Sequence, residues 1–209
     1  MSLPLSSSPA PTDSVIIRRA DPEQDEQYID ELCRIINTAY RSDQGWTHES
    51  HLIRENRISK EEAKDVLHDS VNPLLLALDK DTHQPIGTLQ LEAAEHCEDL
   101  EEYKGEGYES PTLTESFLKT QQVFLRLISV DPKQQSRGIG RKLVDAGLRY
   151  ARETMGRKQA VVYVIYQRKE LCDWYKRIGF VDFGEKIAYP DPQRLKQDDV
   201  HFSVLRFSL

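Results

Sequence analysis

The stretch Val130-Asp131-Pro132-Lys133-Gln134-Gln135-Ser136-Arg137-Gly138-Ile139-Gly140-Arg141-Lys142 joins an apolar segment to an amphipathic one. Before it, Val123 to Val130 is a strongly apolar run interrupted by Arg126, which reads as a strand. After it, Leu143, Val144, Ala146, Gly147, Leu148, Tyr150 and Ala151 give a helix from about Gly138 to Met155. The first amides of a helix lack intrahelical partners and the helix dipole favours negative charge there, so this strand-turn-helix is prepared for a phosphate. Gly138 and Gly140 carry no Cβ and let those amides approach an anion closely. Arg137, Arg141 and Lys142 add local positive charge. The turn has neither the Gly-Lys-Ser/Thr ending of a P-loop nor a third glycine at dinucleotide spacing.

Outward from this turn the chain divides into recognisable elements. Ala160 to Tyr166 is a second apolar strand, parallel to the first through a right-handed crossover. Leu171, Trp174, Tyr175 and Ile178 mark a short helix ending at Gly179, and Phe180 to Tyr189 with Val200 to Phe207 read as a closing pair of strands. Toward the N-terminus, Leu74 to Leu78 and Ile86 to Leu91 flank a polar turn as an antiparallel hairpin. Ser59-Lys60-Glu61-Glu62 has capping-box spacing, so a helix should run from there to about His68. Asp21-Pro22 supplies an N-cap and a first-turn proline, and the apolar spacing predicts one helix from there to about Tyr40, after a short strand at Val15 to Arg19. Arg41 to Arg57 is aperiodic and reads as a loop with some helix. The expected fold is α/β: a mixed, mostly antiparallel twisted sheet of six to seven strands with helices on both faces.

The length, 209 residues, suits one domain at 14–209 behind a disordered Ser/Pro-rich tail at 1–13, with an acidic loop-like insertion at about 93–120. No apolar run is long enough to cross a bilayer and the N-terminus does not resemble a secretory signal. Three scattered cysteines, Cys33, Cys97 and Cys172, argue for reduced thiols used in packing and a cytoplasmic setting, with a nuclear one left open. A net charge of −7 speaks against nucleic acid as the main partner. No histidine spacing suggests a metal. Basic residues are dense between Lys133 and Lys176 and acidic ones between Glu92 and Glu109, an asymmetry that fits an anionic ligand at the first and a cationic one at the second.

Gln135-Ser136-Arg137-Gly138-Ile139-Gly140 resembles the Gln/Arg-x-x-Gly-x-Gly/Ala turn of the GNAT acetyltransferases. Ile128 to Pro132 looks like that family's pantetheine-pairing strand, and Leu171 to Phe180 is similar to its Tyr-x-x-x-Gly-Phe signature. The likeness covers Val123 to Phe180. It lapses in the acidic insertion and at Arg168, near where many members carry an Asn that touches the cofactor.

The resemblance implies an N-acetyltransferase that moves an acetyl group from acetyl-CoA, with no metal, to a primary amine of a small molecule, peptide or protein. It implies that Gln135 to Arg141 bind the coenzyme A pyrophosphate by backbone amides, with Arg137 and Arg141 as auxiliary cations. It further implies that Ile128, Ser129 and Val130 meet pantetheine through the main chain, and that the strand at Val161 to Val164 splays away to leave a slot. Tyr175 becomes the general acid for the departing thiolate, the alternative being an aromatic core residue. Its neighbour Trp174 reads as packing. Tyr40, Trp46 and Arg57 fall where members often line the acceptor side, or serve the core. Glu92 is a candidate base through water, or a solvated carboxylate. Two further readings stay open: a non-catalytic acyl-CoA sensor and a protein-interaction module. The expected state is monomer or homodimer, the last strand being available to pair across a dimer.

Overall fold

In the computed structural model, which describes residues 14–96 and 121–209, the apolar segments become seven strands. They are β1 (Val15–Arg19), β2 (Leu74–Asp79), β3 (Pro85–Ala93), β4 (Gln122–Val130), β5 (Gln159–Ile165), β6 (Val181–Ala188) and β7 (His201–Ser208). One sheet holds them in the order β1-β2-β3-β4-β5-β7-β6. Every neighbouring pair is antiparallel except β4 and β5, the pair joined by the crossover helix. The tail at 1–13 and the insertion from 97 to 120 lie outside the described residues.

Strand β2 is buried on both sides, so its alternation feeds two cores. Leu75 and Ala77 face helix α4 (Ile139–Glu153) through Leu143, Val144 and Leu148. Leu74, Leu76 and Leu78 face Ile29 and Leu32 of α2 (Ile29–Arg41) and Leu67 of α3 (Lys60–His68). Each fully buried leucine contributes roughly 1.5–3 kcal/mol, which fixes the register of the sheet. Helix α5 (Lys169–Arg177) adds Cys172 and Tyr175 to the α4 side.

The helix expected from Pro22 to Tyr40 is broken. A short α1 (Pro22–Asp25) passes through a 3-10 turn at Glu26–Tyr28 before α2 begins. Asp25 explains the break: its carboxylate, almost fully buried, accepts from both Arg18 terminal nitrogens at 2.7 Å and from the Asp21 amide at 2.8 Å. That pins the first turn to β1, and the tighter turn absorbs the change of direction. The α3 capping box forms as expected at Ser59 and Glu62. Beyond Arg41, which ends α2, residues 42–57 carry no helix, yet Leu52 and Ile53 are fully buried with Ile165 and Val200. Strand β7 lies inside the sheet with β5 on one side and β6 on the other, so it has no edge left to pair across a dimer; the sheet's edges are β1 and β6.

Two irregularities open the sheet at its centre. Strands β4 and β5 pair only at Gln122 with Gln159, Val123 with Ala160 and Phe124 with Val161. Beyond Phe124, β4 bulges: Gln90 opposes Arg126 but Thr88 opposes Ser129, and Leu127 takes φ +48°. The Thr88 hydroxyl donates to the Leu127 carbonyl at 2.6 Å and lies 2.6 Å from the Ser129 hydroxyl, so the bulge is satisfied from inside. No helix among the described residues is long and apolar enough to cross a membrane.

Candidate functional site

The opening between β4 and β5 leads into a cavity of about 490 Å³, within the usual range for small-molecule sites. Ile128, Ser129 and Val130 form one wall and Val162, Tyr163 and Val164 the other. One end is closed by the glycine turn. Asp131 caps a 3-10 turn at Pro132–Gln134 by accepting from the Lys133 amide at 2.9 Å, and is itself ion-paired to Arg34. Burial raises the Asp131 carboxyl, but the Arg34 and Lys133 contacts outweigh it and hold it below its ordinary value. Ser136 and Gly138 then take left-handed φ of +64° and +73°.

Gly138 is the N-cap of α4 and offers no capping side chain, whereas Asp21 and Ser59 cap α1 and α3. The first amides of α4 therefore keep no side-chain partner, at the end of the helix dipole that favours an anion. Nothing lies within 4 Å of a Cβ placed on Gly138, so its backbone angle is what calls for glycine. At Gly140 the nearest atoms to such a Cβ belong to Val130 and Trp174, at 3.8 and 3.9 Å. That is ordinary contact, and the protein itself does not require glycine there.

Of the residues expected in the turn, Gln135, Ser136, Gly138, Ile139, Gly140 and Arg141 line the cavity. Arg137 points elsewhere, donating to the Gln134 side chain and to the Ser14 hydroxyl. Arg141 lies at the cavity but gives its Nε to both Asp145 oxygens, at 2.8 and 2.9 Å. Gln135 uses its side chain as a strap: Oε1 accepts from the Trp46 amide at 2.8 Å and Nε2 donates to the Val130 carbonyl at 3.2 Å.

At the other end stand two phenols. Tyr175, 4% exposed, packs edge-on against Trp174 and Phe180, with centroids 4.9 and 5.2 Å away. Its side chain lines the cavity, and its hydroxyl has no protein hydrogen bond among the described residues. Burial pushes the phenol far above its ordinary pKa, Tyr40 adds to this and Arg168 opposes it. Tyr40, also on the cavity, is raised by burial against the opposing pull of Arg57 and Arg168. Trp174 lines the cavity as well as packing on Tyr175, and Trp46 joins the lining from the far side.

Aperiodic sequence concealed a buried ion network beside these phenols. Glu49 pairs through Oε2 with Arg41 and through Oε1 with Arg168 Nη1 at 2.6 Å, all three side chains being about nine-tenths buried. Arg168 Nε also donates to the Thr47 hydroxyl at 3.3 Å. The guanidinium carbons of Arg57 and Arg168 sit 5.5 and 5.7 Å from the Tyr40 ring centre. Glu92 is elsewhere. Its Oε2 accepts from Arg126 at 2.6 Å, and the residue is not part of the cavity wall. Glu95, the described end of the acidic run, is paired with Arg157 at 2.6 Å.

A mixed seven-stranded sheet, opened between its one parallel pair beside an uncapped helix start, defines the acyl-CoA N-acyltransferase fold. The chain belongs to the acetyltransferase (GNAT) family, whose model matches residues 29–180. A curated mycothiol acetyltransferase from Gordonia bronchialis is 36% identical over 67 residues, 32% of this chain and 21% of that protein. The match thus spans about a fifth of the curated relative's length. Among solved structures, Arabidopsis thaliana NAA60 in complex with acetyl-CoA superposes with a TM-score of 0.63 at 13% identity, over 93% of this chain and 98% of that one. A variant of the SpeG spermidine N-acetyltransferase from Vibrio cholerae gives 0.59 at 14% identity, over 94% and 95% of the two chains. At such identities the likeness is one of fold.

Proposed function

We propose that the cavity binds acetyl-CoA and that the protein transfers its acetyl group to a primary amine by direct attack. The observation that carries this reading is the continuity of one cavity from the uncapped α4 start, through the opening between β4 and β5, to the free hydroxyl of Tyr175. The amides of the glycine turn would hold the pyrophosphate, with Arg141 at the mouth. The main chain of Ile128 to Val130, unpaired on its β5 side, would hold pantetheine. The thioester carbonyl then falls between the walls, where the amine attacks it. Collapse of the tetrahedral adduct breaks the carbon–sulfur bond as Tyr175 protonates the departing thiolate, and the proton shed by the amine nitrogen returns to the phenol oxygen, leaving the amide and free coenzyme A. A phenol that burial keeps protonated serves as donor across the working pH range.

The amine must arrive neutral. An α-amine near pKa 8 is about one-tenth neutral at pH 7, against about one part in two thousand for a lysine-like amine, so an α-amine asks for less help from a base. Glu92, paired with Arg126 and away from the cavity wall, has no part as a base in this reading.

Isothermal titration with acetyl-CoA and with coenzyme A, in the absence of any amine, tests the binding half. Micromolar affinity that is lost in Gly138→Glu supports it; a folded protein that binds neither would reduce the likeness to one of fold. Binding without thiol release on any amine would instead favour a sensor.

A further inference from the structure

The walls of the cavity carry an unusual charge. This is an acidic protein of net charge −7, yet the charged residues on its cavity are Arg141, Arg168, Arg177 and Glu49. The one carboxylate among the described lining residues is already held by two guanidiniums, Arg41 and Arg168. An ammonium-rich acceptor would therefore meet no free carboxylate on the described walls. Arg168 is the opposite case. Its side chain is 8% exposed and lines the cavity, its Nη1 and Nε are used by Glu49 and Thr47, and its Nη2 makes no hydrogen bond to protein among the described residues. A brace tying the 41–49 loop to the start of α5 would account for Nη1 and Nε. It brings Arg168 to the cavity wall, where the Tyr40 ring face and, through Thr47, Glu170 are its further protein neighbours; Arg41 and Arg168 still outnumber the one buried carboxylate they share, and buried charge is costly unless compensated.

Resting on the acetyltransferase reading above, we propose that the acceptor is an amino acid-like molecule, a primary amine that also bears a carboxylate, and that the Arg168 guanidinium holds this carboxylate beside Tyr175. The acceptor's carboxylate completes the charge balance of the network, and its amine points at the thioester. Arg168 is then a specificity-determining residue. Planar guanidinium geometry suits a carboxylate better than a lysine ammonium would.

The test is thiol release at saturating acetyl-CoA from the standard α-amino acids, each matched with its decarboxylated amine, and with spermidine as the cationic control. The expected result is that the fastest acceptor carries a carboxylate and exceeds its decarboxylated partner by at least about 10-fold in kcat/KM. Arg168→Gln should raise KM for that acceptor about 10-fold with coenzyme A affinity unchanged, and Arg168→Lys should recover part of the loss. The proposal is overturned if spermidine or a decarboxylated amine is the better acceptor. It is also overturned if a protein that binds acetyl-CoA acetylates no amino acid, or if a folded Arg168→Gln protein keeps the wild-type KM. Should the glutamine variant not fold, the matched pairs on the wild-type protein decide alone. Failure to bind acetyl-CoA, seen separately by titration, would remove the acetyltransferase reading itself.

Discussion

One end of the cavity is built from the contiguous stretch from Val130 to Arg141, where the first amides of α4 have no capping side chain. The other end is built from side chains that come from far apart: Glu49 and Arg168 are separated by 119 positions in sequence. The first end depends on backbone angles at Ser136 and Gly138, and so on local residue choice. The second depends on how α2, the 41–57 region and α5 are packed together. Local conformational codes and long-range packing thus meet in a single pocket, and each end should fail in its own way.

The largest effect is expected at the packed end. Glu49→Ala leaves Arg41 and Arg168 buried without their anion and should cost about 3–5 kcal/mol, read as a lowered urea midpoint. A change within experimental error would mean that water compensates the two arginines. At the backbone end, Gly138→Glu should lower coenzyme A affinity by at least about 100-fold by titration, while the left-handed angle costs stability only about 1–2 kcal/mol. If the loss of stability matched the loss of binding, the distinction between the two ends would dissolve.

Between them, Tyr175→Phe should lower kcat about 100-fold and leave the coenzyme A dissociation constant unchanged. Unaltered turnover would return Tyr175 to the core. Smaller still is the cost of removing the strap. Gln135→Ala should destabilise by about 0.5–1.5 kcal/mol per lost hydrogen bond and weaken binding modestly, since it alone links Val130 to Trp46. Finally, Tyr40 and Tyr175 both have raised pKa values in the folded protein. The stability they confer is full below the unfolded value of about 10 and is lost as pH rises above it toward the folded values. Denaturant midpoints should therefore fall above about pH 10, and less steeply in Tyr175→Phe.

The comparison also explains what could be read from the chain alone. Element order, the hairpin, the Ser59 cap and the parallel crossover rest on periodicity and on local residue signals, and these are visible in any window of sequence. The break at Glu26–Tyr28 was hidden because it follows from Asp25 reaching Arg18, seven positions back. The bulge at Leu127 was hidden because Thr88, on another strand, satisfies it. The Arg41–Glu49–Arg168 network had only one sequence signal, an arginine at a position where the resembling family often has Asn. Leu52 and Ile53 looked like loop residues because a lone apolar pair has no period, and only the bridge from Ile53 to Leu195 shows what covers them.

One topological detail has a consequence for how such a chain is made. Of the seven strands β7 comes last along the chain, yet it is seated between β5 and β6. At about 5–20 residues per second, a nascent chain exposes the edge of β5, with its valines at 161, 162 and 164, for seconds before His201–Ser208 emerges to cover it. Co-translational folding can complete β1 to β4 early, but the sheet closes only after β7 has been made. Slowed elongation over the codons between β5 and β7, or limited chaperone supply, should therefore lower the soluble yield of this protein without altering the stability of the molecules that finish folding.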